Sequence, residues 1–137
     1  MLIKEIMSDH ADILSPTDTI EIAAEKMRAN NYGFLPVGEN DRLIGTVTDR
    51  DIVIRAIAKG LDPQTPVKNI LSDKVCFCFE DEDVVLAADK MQKLQIRRLI
   101  ILNRNKRIVG IVSLGDIATR VQNNEISGET LEEISQA

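Results

Sequence analysis

The chain has 137 residues, of which 44% are hydrophobic and 28% charged, with a net charge of −5. This length fits one compact domain or two very small ones that share a core, and the composition excludes a disordered or fibrous protein. No apolar run approaches the ~18 residues of a membrane span, and the N-terminal residues lack the pattern of a secretory signal, so we expect a cytoplasmic protein that makes no membrane contact.

The charge is unevenly distributed along the chain. Residues 1–65 carry 7 basic and 11 acidic side chains, whereas residues 66–124 carry 10 basic and 7 acidic ones. An acidic chain argues against nucleic-acid binding through counterion release. A local basic patch in its second half favours an anionic small molecule as the ligand.

The first half of the chain predicts the element order β-α-β-β-α after a short opening turn. Asp18, followed by Glu21, marks the start of the first helix, and Gly60 is a typical residue just beyond the end of the second. In chain order the predicted elements are the turn over 3–7, an extended segment at 12–14, the helix from 18, strands over 34–37 and 43–48, and the helix from 49.

The same element order occurs a second time. Residues 3–55 align with residues 67–120, with fourteen identical pairs. A unit of this size is too small to stabilise itself well, so we expect it to pack against its copy. The second copy predicts a turn over 67–71, an extended segment at 75–78, a helix through 84–91, strands over 99–102 and 108–113, and a helix from about 114 to 123. The resulting predicted division is a first repeat over 1–62, a second repeat over 63–124, and an acidic tail over 125–137 that we expect to form a short helix.

One motif occurs at the end of the last strand in each copy. The segments 45–51 and 110–116 share the pattern Gly-x-x-Thr/Ser-x-x-Asp. The plain interpretation is a capping box, in which Thr48 or Ser113 caps the following helix. The alternative is a ligand site, because an aspartate at a helix start accepts hydrogen bonds from a ribose diol and the nearby N–H groups suit a phosphate.

The chain at this point resembles a tandem pair of CBS domains, also called a Bateman module. The resemblance is carried by the repeat, the element order, the shared motif and the segments 32–37 and 96–101, and it covers 3–120. It implies an α/β fold of two pseudo-twofold-related repeats, each with a small three-stranded sheet packed on helices. The segment 48–56 further resembles small free-standing bacterial members.

The resemblance also implies two nucleotide sites, each combining the motif of one repeat with the base pocket of the other. Site A would use Thr46, Thr48, Asp51, Cys76, Ile96, Arg97 and Arg98. Site B would use Asp12, Tyr32, Gly33, Phe34, Pro36, Ile111, Ser113 and Asp116. The adjacent arginines suit phosphate oxygens, so we expect site A to prefer charged nucleotides. Ile100 stands where the family usually has proline.

Plainer roles are open for several of these residues. Arg97 and Arg98 could pair with the acids at 80–83, which otherwise complement a helix dipole. Tyr32 and Phe34 could be core residues. Arg50 and Arg55 could lie on the surface or reach a phosphate. His10, Cys76 and Cys78 provide too few ligands for a tetrahedral zinc site, and the two cysteines are spaced poorly for a disulfide, so we expect reduced thiols and no bound metal.

These observations predict a non-catalytic sensor that binds adenosine nucleotides of the AMP, ADP and ATP class. No nucleophile–base pair and no metal cluster are evident, so we expect neither an enzyme nor a required cofactor. The alternatives are a ligand-free interaction scaffold with an unidentified protein partner, or a module that responds to redox state or metal through Cys76 and Cys78. The resemblance implies a homodimer, and the side chains expected at its interface are Ile22, Val53, Ile57 and Leu86.

Overall fold

Helices and strands alternate along the part of the chain that the computed structural model describes, which is residues 1–9 and 12–120. This confirms the predicted α/β fold with small sheets. The elements are a 3₁₀ turn Ile3–Glu5, α1 Ile20–Asn30, β1 Phe34–Glu39, β2 Arg42–Thr48, α2 Asp49–Asp51, a π-helix Ile52–Ala56, a 3₁₀ turn Ile57–Lys59, a 3₁₀ turn Val67–Asn69, β3 Phe77–Phe79, α3 Val84–Leu94, β4 Arg98–Leu102, β5 Ile108–Ser113 and α4 Leu114–Arg120. His10, the end of the last predicted helix and the predicted tail helix lie outside the described residues.

The chain forms two compact units whose limits differ from those of the sequence repeats. The central unit is the continuous stretch Asp12–Val75, and the terminal unit combines Met1–Ala11 with the chain from Cys76 onward. The opening turn of the first repeat therefore belongs to the terminal unit, together with the rest of the second repeat. The opening turn of the second repeat belongs to the central unit, together with the rest of the first repeat.

Main-chain hydrogen bonds hold the opening turn in the terminal unit. Ile3 N donates to Glu82 O at 2.9 Å, and Lys4 N donates to Glu80 O at 3.0 Å. The side chains of Ile3 and Ile6 are at most 1% exposed and pack in a cluster with residues of α3, β4 and β5. The N-terminal residues are thus part of a hydrophobic core.

The equivalent turn is held in the central unit in the same way. Val67 N donates to Asp18 O at 2.8 Å, and Lys68 N donates to Pro16 O at 3.1 Å. The side chains of Val67 and Ile70 are buried in the cluster formed by α1, β1 and β2.

Only one of the two sheets has the three strands that the repeat predicts. In the terminal unit β3 is parallel to β4, and β4 is antiparallel to β5. The sheet of the central unit contains β1 and β2 alone, with Leu14 joined to Val37 by a single parallel bridge. The expectation of a strand at 12–14 is therefore wrong. The cause is Pro16, which replaces Glu80 and cannot reproduce the bond from Glu80 N to Leu102 O because proline has no N–H.

The predicted start of α1 is also wrong, by one residue. The N-cap is Thr19, whose side chain accepts a hydrogen bond from Ile22 N. Asp18 instead closes the preceding turn by accepting from Ser15 N at 2.8 Å. The helix ends as expected for a left-handed cap, with Asn31 at φ 55°.

The helical segment after β2 has the predicted limits but not a regular geometry. One α-helical turn, α2, continues as the π-helix Ile52–Ala56 and a 3₁₀ turn, and Gly60 closes it at φ 71°. The four apolar residues expected at a dimer interface, Ile22, Val53, Ile57 and Leu86, are between 37% and 62% exposed. No helix among the described residues has the length and apolar character to cross a membrane.

Candidate functional site

One face of each β-hairpin packs in the hydrophobic core of its unit. The other face carries both polar and apolar side chains, and these include predicted site residues. In the central unit Phe34 is opposite Thr48 and Pro36 is opposite Thr46. Directly opposed residues share a face of an antiparallel pair, so these four side chains lie on the same side. None of the four belongs to the hydrophobic cluster of the unit.

The hairpin of the terminal unit has the same arrangement. Arg98 is opposite Ser113 and Ile100 is opposite Ile111, while Leu99 and Val112 on the other face are buried in the core. The arginine thus stands where the first hairpin has Phe34.

Each hairpin brings together residues that the resemblance assigned to different sites, namely Phe34 with Thr48 and Arg98 with Ser113. We define the first hairpin site as Asp12, Tyr32, Gly33, Phe34, Pro36, Thr46, Thr48 and Asp51. We define the second hairpin site as Cys76, Ile96, Arg97, Arg98, Ile111, Ser113 and Asp116. The combination of residues across the two repeats, as sites A and B, stays a prediction.

The hydroxyl and carboxyl groups of the motif form capping boxes in both hairpins. Asp51 N donates to Thr48 Oγ1 at 3.1 Å, and Thr48 N donates to Asp51 Oδ2 at 3.0 Å. The corresponding distances between Ser113 and Asp116 are 3.0 Å and 2.8 Å. The plain interpretation of the motif is therefore confirmed, and it leaves the second carboxylate oxygen of each aspartate for other partners.

Arg55 lies beside Asp51 and contacts the opening turn of the second repeat. Its Nε is 3.8 Å from Asp51 Oδ1, and its Nη1 donates to Ile70 O and Leu71 O at 3.3 Å. Arg55 thus connects the helical segment to residues 70 and 71 in this structure, whereas Arg50 is exposed.

Asp12 and Cys76 occupy equivalent positions but have different surroundings. Asp12 Oδ2 accepts a hydrogen bond from Asn30 Nδ2 at 2.8 Å, and its Oδ1 is 3.6 Å from Lys26 Nζ. Cys76 is half-buried and packs against the core of the terminal unit. At this position the first hairpin site therefore has an ion-paired carboxylate, and the second has a thiol.

The base-pocket residues are divided between core contacts and the surface. Tyr32 and its counterpart Ile96 both pack against the cores of their units while remaining half-buried. Phe34 is half-buried, and Arg97 is exposed. Asp81, which we considered as a partner for the arginines, instead pairs with Arg104 at 2.9 Å.

The shared glycine of the motif has a steric cause that the sequence did not reveal. A Cβ at Gly45 would lie 2.6 Å from Ser72 O, and one at Gly110 would lie 2.6 Å from Ser8 O. Each serine forms an antiparallel bridge with the residue that follows the glycine. The identity of Ser8 and Ser72 in the repeat was the available signal.

The two cysteines differ in burial. Cys78 is 1% exposed, and desolvation by the surrounding core raises the pKa of its thiol above the usual range. Neutral thiols react slowly as nucleophiles. Within residues 1–9 and 12–120 there is no group of three or more histidine, cysteine, aspartate or glutamate side chains that could hold a metal ion.

Two shallow grooves lie on the central unit near the first hairpin site. One, of about 350 Å³, is lined by Asp49, Arg50, Val53 and Ile54. The other, of about 470 Å³, is lined by Asp12, Ile22, Glu25, Lys26, Ala29 and Asn30. Both volumes are in the range of small-molecule sites.

A family model described as "CBS domain" matches this chain twice, over residues 3–57 and 67–123. The chain belongs to the CBS domain family. The CBS domain-containing protein YhcV of Bacillus subtilis is 40% identical over 133 residues, which cover 97% of this chain and 94% of YhcV. These matches confirm the resemblance to a tandem CBS pair.

Solved structures of CBS proteins are similar to this chain and contain different ligands. Hypoxic Response Protein I with two coordinated zinc ions has a TM-score of 0.80 at 32% identity, covering 88% of this chain and 99% of its own. PAE2072 from Pyrobaculum aerophilum complexed with AMP has a TM-score of 0.77 at 25% identity over all of both chains. The CBS pair of MJ0100 in complex with 5-methylthioadenosine and S-adenosyl-L-methionine has a TM-score of 0.73 at 30% identity, covering 86% and 93%.

Proposed function

We propose that this CBS pair is a non-catalytic regulatory module that binds adenosine ligands at its two hairpin sites. The observation that carries the proposal is that each hairpin places the hydroxyl residue of a capping box opposite a predicted ligand-binding residue, Thr48 opposite Phe34 and Ser113 opposite Arg98. Relatives of this fold that were solved with AMP, S-adenosyl-L-methionine or 5-methylthioadenosine support the ligand class.

The aspartates are proposed to bind the ribose. Oδ2 of Asp51 and of Asp116 already accepts a main-chain N–H in the capping box. This bond fixes the carboxylate, so that the other oxygen is held ready to accept a ribose hydroxyl. A capping role and a binding role are therefore compatible in one residue.

The arginines of the second hairpin site are proposed to bind phosphate. Arg98 is opposite Ser113 in the β4–β5 register, and Arg97 O accepts a hydrogen bond from Leu114 N at 2.8 Å. The guanidinium groups thus belong to residues that flank the capping box. Guanidinium forms paired hydrogen bonds with phosphate oxygens, so we expect this site to prefer charged nucleotides.

Titration calorimetry with AMP, ADP, ATP and adenosine tests this proposal. The informative variants are Asp51→Asn and Asp116→Asn, because an asparagine amide oxygen can still accept the hydrogen bond from Thr48 N or Ser113 N, whereas alanine has no acceptor. We expect each to weaken binding at its own site roughly tenfold, as for a lost charge-assisted hydrogen bond. Wild-type protein that binds none of the four ligands would refute the proposal.

The same experiment distinguishes the two groupings of residues. Suppose that Arg97→Gln abolishes AMP binding at one site. If Asp116→Asn abolishes the same binding, each site is built on one hairpin. If it is lost in Asp51→Asn instead, each site combines the two repeats as sites A and B. A Lys106→Gln variant removes a positive charge from the β4–β5 turn and serves as the control.

An association role is the second candidate, and the exposed apolar helix residues favour it. Val53 and Ile57 are 59% and 62% exposed and Ile54, between them in sequence, is 45% exposed; groups of exposed apolar side chains are typical of association surfaces. We propose that they contribute to a homodimer, through which a bound ligand could change affinity for a further protein. Sedimentation equilibrium should show weaker self-association for Val53→Glu/Ile57→Glu than for the wild type, and a monomeric wild type would exclude the dimer.

A further inference from the structure

The two hairpin sites differ in charge at one structurally equivalent position. In both, the N–H of the first helical residue donates to the carbonyl of the residue just before the first hairpin strand: Asp49 N to Gly33 O at 3.0 Å, and Leu114 N to Arg97 O at 2.8 Å. The same main-chain hydrogen bond is present in both sites, but the residues that it joins differ. They are Gly33 and Asp49 in the first site, and Arg97 and Leu114 in the second.

The Asp49 carboxylate fills the space that a side chain at position 33 would use. A Cβ built on Gly33 would lie 2.4 Å from Asp49 Oδ2 and 2.8 Å from Asp49 Oδ1. The Asp49 carboxylate can therefore occupy this position only because residue 33 has no side chain, and a larger residue there would displace it. In the second site this space is compatible with an arginine, because Leu114 is 6% exposed and is part of the core.

The charge of Asp49 has no cationic partner among the described residues. Its Oδ1 accepts a hydrogen bond from Arg50 N at 2.8 Å, and no ion pair within 4 Å involves it. The other two acids of this region differ, because Asp12 lies 3.6 Å from Lys26 and Asp51 lies 3.8 Å from Arg55. Asp49 also lines the 350 Å³ groove, next to Arg50, Val53 and Ile54.

We propose that Asp49, lying against Gly33, makes the first hairpin site select adenosine ligands that lack a phosphate, whether neutral or cationic, such as a sulfonium nucleoside. This inference rests on the proposed adenosine-binding function and adds the ligand class of one site. A carboxylate repels a phosphate placed near it and attracts a cation. At the equivalent position the second site offers a guanidinium, so the two sites have opposite charge preferences.

The test measures binding of adenosine, AMP and S-adenosyl-L-methionine by calorimetry in the Arg97→Gln/Arg98→Gln background. That background removes the phosphate contacts of the other site in either grouping of residues. We expect Asp49→Asn to strengthen AMP binding roughly tenfold, to weaken S-adenosyl-L-methionine binding by a similar factor, and to leave adenosine unchanged. Asparagine still accepts the hydrogen bond from Arg50 N, so the local fold is retained.

Asp41→Asn is the matched control, since it makes the same charge change in the exposed turn between β1 and β2, at a residue with φ 64° that asparagine tolerates. It should leave all three affinities unchanged. An unchanged ratio of AMP to S-adenosyl-L-methionine affinity in Asp49→Asn, with adenosine still bound, would overturn this inference alone. Failure of the wild type to bind any of the three ligands would overturn the proposed function with it.

Discussion

At the scale of single residues, the glycine of the shared motif predicts a large effect from a small substitution. A methyl group at position 110 would be placed 2.6 Å from Ser8 O and 2.8 Å from Met7 Sδ. Overpacking of this kind costs about 1–3 kcal/mol. Gly110→Ala should therefore lower the free energy of unfolding by that amount in urea titration.

Gly115→Ala is the control for this prediction. A Cβ there would have an ordinary contact of 3.6 Å with Ser113 Oγ, and the residue lies in helix α4. Alanine is favoured over glycine in a helix by roughly 0.5–1 kcal/mol, so this variant should be as stable as the wild type or more stable. Equal stability of the two variants would contradict the steric explanation.

The buried thiol of Cys78 predicts a pH dependence. Burial raises its pKa, with smaller contributions in the same direction from Glu82 and Cys76 and an opposing one from Lys90. The contribution of the neutral thiol to the free energy of unfolding is fully present at pH values below the pKa of this thiol in the unfolded chain. It is lost as the pH rises through the higher pKa of the thiol in the folded protein. The free energy of unfolding should thus fall with rising alkaline pH.

Cys78→Ala should remove that part of the alkaline decline, although it lowers stability at neutral pH through the lost packing. Cys76→Ala keeps the buried thiol and should keep the slope. Urea titrations at several pH values between about 7 and 10 measure both, and identical slopes in Cys78→Ala and the wild type would argue against the effect.

Some residue roles were predictable from the sequence and others were not. The capping boxes follow from local spacing, and Thr48 with Asp51 forms the predicted one. The contact between Gly33 and Asp49 depends on which residues the hairpin places opposite each other, so no local pattern reveals it. The same limit explains the misplaced N-cap, since Asp18 and Thr19 are both good caps and the turn at Ser15 decides between them.

At the scale of elements, the segment after β2 predicts weak backbone protection. Ile57 N is shared between Ile52 O and Val53 O, so α- and π-type bonds compete for one donor. Such bonds have poorer geometry than those of a regular helix. Amide hydrogen exchange should be faster across Ile52–Lys59 than across α3, and equal protection in the two segments would contradict this.

The hairpins were the most predictable elements and the irregular helix the least. The apolar run Phe34–Val37 and the polar turn at Asn40 and Asp41 mark the hairpin of β1 and β2, and both turn residues adopt positive φ. The π-helix carries no propensity signal that distinguishes it from an α-helix. The missing strand before α1 follows from Pro16, whose effect on pairing could have been predicted from its lack of an N–H.

At the scale of the whole molecule, the compact units predict which fragments fold. The central unit is one continuous stretch, Asp12–Val75, and already contains its opening turn at Val67–Asn69. The second sequence repeat, 63–124, lacks Ile3 and Ile6, which are buried in its unit. Losing two such side chains costs several kcal/mol, comparable to the stability of a small domain.

Circular dichroism of the fragments 12–75 and 63–124 is the measurement. We expect cooperative thermal unfolding from the first and none from the second, with a synthetic peptide of residues 1–9 increasing the structure of the second. A fully folded 63–124 fragment would show that the N-terminal residues are dispensable.

The contribution of the first nine residues to the terminal unit has a consequence for how the protein is made. Residues 1–9 are translated before the central unit, yet their partners Glu80 and Glu82 are translated only after it. At ~5–20 residues per second this delay is roughly 3–13 s. Throughout it Ile3 and Ile6 lack the core of the terminal unit, so a growing chain leaves these two apolar side chains accessible to chaperones while the central unit is being synthesised.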